Sequence, residues 1–171
     1  MVGEIRDAET ASMAIRASLT GHLVLSTIHT NSAWGSVSRL IDMGVPSYLV
    51  ANTLNTTVAQ RLVRKLCSCK TKTAFDEKEY PQRFKPIKKI TEHYVATGCE
   101  KCHYTGYKGR LAVYEVIPVD NELSEAIKNK AFDVTSELEE RGINQLSVNA
   151  FELFERGETT IDEIYPMLIN S

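Results

Sequence analysis

Val2-Gly3-Glu4-Ile5-Arg6-Asp7, a twelve-residue amphipathic stretch, and then Thr20-Gly21-His22-Leu23-Val24-Leu25-Ser26-Thr27-Ile28-His29-Thr30-Asn31 decide how this sequence is to be read. The second segment holds a short apolar run, Leu23 to Ile28, which predicts a buried strand, parallel to its neighbour. The first has only two apolar residues before its Gly-Glu pair, so it reads as the last stub of a strand whose beginning is missing. Between them Asp7 is an N-cap residue and Glu9 suits the positive end of a helix. Ala8, Ala11, Ala14 and Ala17 recur every three residues, and Gly21 follows as a stop signal. Strand, helix, strand in this order is the grammar of an α/β sheet.

Downstream, Ser32 is placed to cap a second helix with Ala33, Val37, Leu40, Ile41 and Gly44 on one face. Pro46 opens a third helix, at a position where proline is tolerated. Val58 to Leu66 fits neither the helical nor the strand period cleanly. From Cys67 to about Arg110 lysine, proline and glycine dominate, and few apolar residues are available for a core. Leu111 to Ile117 reads as a strand ended by Pro118, and the remainder as helices over 123–128, 135–141, 150–156 and 160–168. The expected division is 1–66, an ATPase-like α/β half; 67–110, a metal-binding subdomain; and 111–171, a strand followed by a helical region.

At 171 residues and a formal charge of −2 the chain has no global attraction for nucleic acid or anionic membrane, although Arg61, Arg64, Lys65, Lys70 and Lys72 crowd one stretch. No apolar run approaches the roughly 20 residues that span a bilayer. Four cysteines without a secretory signal point to a reducing compartment, hence the cytoplasm.

Three constellations carry chemistry. Glu4, at the end of an apolar strand, would face a ligand crevice and orient or deprotonate the attacking water, or hold Mg²⁺ through an intervening water; the alternative is a solvated glutamate at a helix start. His29, after the second strand, would share that sheet edge, whereas His22 sits at the strand's other end and cannot share a site with it. Cys67-Ser68-Cys69 and Cys99-Glu100-Lys101-Cys102 are two close pairs that can gather four thiolates around one tetrahedral Zn²⁺. The first pair is one residue shorter than a normal knuckle, and His93 and His103 are spare donors. Unliganded thiols or disulfides are the other readings. With so few core residues nearby, metal would supply the stability of this segment.

The ordered set of motifs resembles the ATPases of type II secretion and type IV pilus assembly. Val2 to Ala11 resembles their Walker B segment and Thr20 to Asn31 their histidine box. Arg39 to Pro46 and Ala59 to Cys67 continue the order, and Gly98 to Cys102, Thr105-Gly106-Tyr107, Gly109-Arg110 and Tyr114-Glu115 resemble the tetracysteine domain. The resemblance implies a partial RecA-like, three-layer core on a parallel sheet, with a zinc subdomain and a helical C-terminal region. It implies Glu4 as the water-orienting residue, His29 near the γ-phosphate, Arg61 as a structural or nucleotide-adjacent residue, and Cys67, Cys69, Cys99 and Cys102 as zinc ligands.

The implied partners are further copies in a hexameric ring, and the platform and anchoring proteins of the inner membrane, with the chain peripheral at its cytoplasmic side; nucleic acid is not expected. No G-x-x-x-x-G-K-[S/T] occurs, so ATP and Mg²⁺ belong to a complete protein and the chain as given is expected not to hydrolyse ATP. It is also expected to self-associate through apolar surface left at Leu23, Val24 and Leu25. A zinc-stapled interaction module and a zinc-knuckle nucleic-acid binder are the alternative functions.

Overall fold

The computed structural model describes residues 1–169 except Arg83 and Ile87. Its elements run α1 (Ala8–Leu19), α2 (Gly35–Asp42), α3 (Ser47–Thr53), β1 (Thr56–Leu66), β2 (Thr71–Ala74), β3 (Glu92–Val95), β4 (Tyr107–Pro118), α4 (Asn121–Lys128), α5 (Thr135–Glu140), α6 (Leu146–Glu155) and α7 (Ile161–Ile169). The chain forms two compact units that interleave in sequence: residues 1–59 with 115–143, and 60–114 with 144–171. Two of the three boundaries fall inside β1 and β4, the two long strands, and the third lies between α5 and α6, so each unit is discontinuous in sequence.

In the first unit α1 begins where Asp7 Oδ1 accepts the Thr10 N–H at 2.8 Å and ends at Gly21, which takes φ +89°. Ala11, Ala14 and Ile15 are its buried stripe. Ser32 Oγ accepts the Gly35 N–H at 3.1 Å at the start of α2. Trp34 is buried in the same core and donates from Nε1 to the Ala131 carbonyl at 3.0 Å. Helix α4 is capped by Asp120, which accepts from Leu123 N–H at 2.8 Å, and Ser124 Oγ donates to the Ala51 carbonyl of α3 at 3.2 Å. Ile117, Leu123, Ile127, Val134 and Leu138 complete the core with Val37, Leu40 and Val50.

The expected parallel sheet is present only as a trace. Among the described residues one parallel bridge forms, between Glu4 and Thr27, supported by Val2 N–H to Leu25 C=O and Ile5 N–H to Thr27 C=O, both 2.9 Å. Leu23 to Ile28 is therefore not a buried strand: Leu23 is 81% and Leu25 61% exposed, and Val24 alone of the three packs partly on the core. The reason is the number of neighbours. A parallel strand becomes buried when both of its edges are paired and both faces covered, and this segment bonds the 2–5 stub.

The ambiguous stretch is β1, paired with β4, and from Gln60 onward it belongs to the second unit. Asn55 C=O accepts from Val119 N–H at 2.8 Å at one end of the pair, and Gly106 C=O accepts from Cys67 N–H at 2.9 Å at the other, so the strands run in opposite directions. β2 and β3 form a separate antiparallel pair, with Thr71 opposite Val95 and Ala74 opposite Glu92.

The cysteine segment does have a core. Phe75, Tyr80 and Ile90 pack with Phe151, Phe154, Ile164 and Leu168 of α6 and α7. Phe75 meets Tyr80 and Phe154 at ring-centroid distances of 4.7 and 5.4 Å. The core is supplied by helices some 60 residues further along the chain, which is why a reading of residues 67–110 alone finds too few apolar side chains.

Candidate functional site

The stub ending at Glu4 and the turn holding His29 are brought to one edge by the parallel bridge. Thr27 Oγ1 donates to the Gly3 carbonyl at 2.8 Å and fixes the two segments beside each other. His29 Nε2 stands 2.6 Å from Glu4 Oε1, and Arg6 Nη2 is 2.6 Å from Glu4 Oε2. Arg6 was not singled out from the sequence. Its signal is the extended-chain period, which puts residues 4 and 6 on the same side of the stub. The Arg6 hydrogen bond, chiefly, and the positive charge around it hold the Glu4 carboxyl below its ordinary range against the opposing effect of burial. Glu4 is thus a carboxylate at neutral pH. The His29 approach is close but not aligned as a hydrogen bond, so Oε1, shielded from solvent, keeps an acceptor position unused among the described residues. His22 is elsewhere: its Nδ1 is 3.1 Å from Thr20 Oγ1. Arg61 lies in β1 within the second unit, exposed, and donates from Nη1 to the Gln60 carbonyl at 2.8 Å.

The four cysteines converge in the second unit. Their sulfurs all lie within 4.8 Å of one another, and no disulfide joins them. Cys67 to Cys99 and Cys69 to Cys102 are 3.9 Å apart, and Cys99 to Cys102 3.8 Å. A tetrahedral ion with metal–sulfur bonds of about 2.3 Å requires sulfur–sulfur separations of about 3.8 Å. The set fits a metal ion, the short C-x-C pair included.

Two backbone donors point at one sulfur: Cys99 N–H at 3.1 Å and Gly106 N–H at 3.3 Å, both to Cys102 Sγ. Burial pushes the Cys102 thiol up, but these donors outweigh it and hold it at about 6. Cys69, where burial prevails, is pushed up to about 12. A cation between the four sulfurs would favour the charged form of all of them.

The spare donors are not used. His103 is exposed in the left-handed region at φ 51°, and His93 is buried, its ring edge-on to Phe75 at 5.0 Å and Phe154 at 5.8 Å. Gly106, at φ +78°, stands in the Thr105-Gly106-Tyr107 motif, but its backbone contact with Cys102 Sγ is not legible from that motif.

With both sites in view, the model of the family described as "Type II/IV secretion system protein" matches residues 1–166. The chain belongs to that family. It is 42% identical over 169 residues to the type IV pilus assembly ATPase TfpB of Acinetobacter baylyi, covering 96% of this chain and 29% of that protein. It is 42% identical over 166 residues to the type II secretion system ATPase E of Vibrio cholerae, covering 96% and 33%.

Among solved structures, the Legionella pneumophila ATPase DotB superposes with a TM-score of 0.64 at 20% identity, over 99% of this chain and 38% of DotB. The pilus retraction motor PilT, solved with bound ADP, also gives 0.64, at 21% identity, over 96% and 38%. The secretion-family fold is thereby established for the chain, which spans about a third of the length of these curated relatives. Among the described residues no helix is long and apolar enough to cross a membrane.

Proposed function

We propose that this family member is part of a motor ATPase that drives protein export or pilus assembly, with Glu4 and His29 at the nucleotide edge of an incomplete RecA-like core. The observation that carries the proposal is the Glu4 carboxylate at the end of the stub with His29 Nε2 2.6 Å away, in a chain matched over nearly its full length by the secretion family. A bound Mg²⁺–ATP would bring the γ-phosphoryl group and the charge that screens it. Arg6 keeps Glu4 ionised, and once His29 turns away from Oε1 that oxygen is placed to orient or deprotonate a water. His29, which is exposed, is free to turn from Glu4 towards a terminal phosphate. Arg61 is a nucleotide-adjacent or structural residue in this reading.

The phosphates themselves need a loop of backbone N–H groups and a lysine that this sequence does not contain, so Glu4 and His29 alone have nothing to act upon. Function in a ring of copies, at the cytoplasmic side of the inner membrane and against its platform and anchoring proteins, follows from the same reading. The tetracysteine set holds Zn²⁺, the ion that four thiolates at tetrahedral spacing favour, as a structural element.

Phosphate release decides the matter. The chain alone is expected at background. Joined to a segment carrying the phosphate-binding loop it is expected to hydrolyse ATP, and Glu4→Gln to reduce that rate about 100-fold or more while nucleotide binding persists. Hydrolysis by the chain alone, or full activity in Glu4→Gln, overturns the proposal.

A further inference from the structure

Each strand of the second unit begins or ends at the cysteine cluster. Cys67 follows Leu66, the last residue of β1; Cys69 stands just before β2; Cys99 comes after β3; and Cys102 precedes β4. The two pairs β1–β4 and β2–β3 are separate sheets, with no ladder joining them among the described residues.

One residue touches both cysteine pairs. Gly106 accepts the Cys67 N–H on its carbonyl at 2.9 Å and donates its own N–H to Cys102 Sγ at 3.3 Å. The first of these is the closing hydrogen bond of the β1–β4 pair; the second is to the sulfur that gathers most backbone donors. Its conformation is one that side chains disfavour, φ +78°, and a Cβ there would stand 2.5 Å from Ala96 Cβ and 2.9 Å from Ala96 Cα.

We infer that the metal centre is a clasp for the open end of β1 and β4, and that Gly106 is the positioning residue through which metal occupancy is felt by that strand pair. A metal ion fixes Cys102 relative to Cys67; Gly106, hydrogen-bonded to both, then holds the last rung of the ladder closed. Without the ion only weak sulfur–sulfur contacts at 3.9 Å join the two pairs of thiols, and the rung depends on the single backbone hydrogen bond between the buried Cys67 and Gly106. The inference rests on metal binding by the four cysteines, and the experiment separates the two.

Metal content of the reduced, purified chain is measured first, and a metal-free wild type removes the metal reading itself. With metal present, zinc affinity is read by competition with a chromophoric chelator. Gly106→Ala is expected to weaken it about 10- to 100-fold, the size of effect seen when a group supporting a metal ligand is lost. Gly109→Ala is the control. It too has a positive φ, +84°, and lies three residues on, inside β4, but a Cβ there meets nothing within 4 Å, and it is expected to stay within about threefold of wild type.

Should Gly106→Ala not fold, amide exchange on the wild-type chain decides. Stripping zinc is expected to lower protection of the Cys67 N–H about tenfold or more while α1 amides keep theirs. Zinc affinity unchanged in Gly106→Ala, or Cys67 protection unchanged on stripping, overturns the clasp while leaving the metal site standing.

Discussion

Around Glu4 the chain commits few residues. One bridge, one threonine hydroxyl and the side chains of Arg6 and His29 hold the carboxylate, with Leu23 and Leu25 open to solvent alongside. Around Cys102 it commits many: four sulfurs, two N–H donors, a glycine at positive φ, two strand pairs and an aromatic core. In the proposed reading the first arrangement is half a site, its chemistry dependent on groups of another segment. The second draws each of its elements from this chain.

That contrast can be broken or sharpened by experiment. The largest expected effect is Cys99→Ser, which should take metal content from about one ion per chain to near zero, since three thiolates and a hydroxyl leave a structural zinc site open. The check is elemental analysis of protein kept reduced, and retained stoichiometric metal would refute four-cysteine ligation. The same variant should leave amide protection in α1 intact, because the residues around α1 take no part in the cluster.

Next is Phe154→Ala. The ring is 1% exposed and packs on Phe75 and His93. Its loss should cost about 3–5 kcal/mol by denaturant unfolding, with metal bound or stripped. A cost confined to the metal-free state would mean that the ion, not the aromatic core, holds the second unit.

A smaller effect is expected from acid. Glu163 takes the Arg64 backbone N–H at 2.8 Å on one oxygen and the guanidinium Nη2 at 2.7 Å on the other. Burial raises the Glu163 carboxyl, but these bonds outweigh it and leave it below the ordinary value. A carboxyl lowered on folding contributes its stabilisation above the unfolded pKa, about 4.3, and loses it as pH falls through the lower folded value. The acid limb of the stability curve should therefore flatten in Glu163→Gln, and an unchanged limb would exclude this pair as its source.

The smallest is Asp7→Ala in the first unit. Removing the Thr10 N–H acceptor should lower the melting temperature by about 2–4 °C. An effect as large as that of Phe154→Ala would mean that the Glu4 edge is more tightly built than its contacts indicate.

Much of the local chemistry was legible in the residues. Asp7 caps α1 as expected and Gly21 ends it, because caps and left-handed stops are decided within one turn of chain. Neighbourhood was harder to see. Val58 to Leu66 defied its period because burial in β1 falls on Thr57, Ala59, Val63 and Leu66 while Gln60, Arg61 and Leu62 in a row are exposed. No alternating pattern predicts such a strand.

Leu23 to Ile28 had the reverse fate: its composition suits a buried strand, yet burial also requires neighbours on both sides. The aromatic partners of Phe75 were invisible from residues 67–110, since Phe151 and Phe154 come from α6. At the sites, the cysteine spacing announced a cluster, whereas Arg6 and Gly106 act through geometry that spacing does not encode.

Because β1 and β4 are antiparallel and meet at Cys67 and Gly106, everything from Ser68 to Thr105 is topologically an insertion in a hairpin. Genetically such a stretch can be lost, lengthened or exchanged without shifting the register of either flanking strand, provided that the replacement still shelters Phe151 and Phe154. The cysteine lobe is in that sense a cartridge: the fold asks of it only two ends as close together as Cys67 and Gly106.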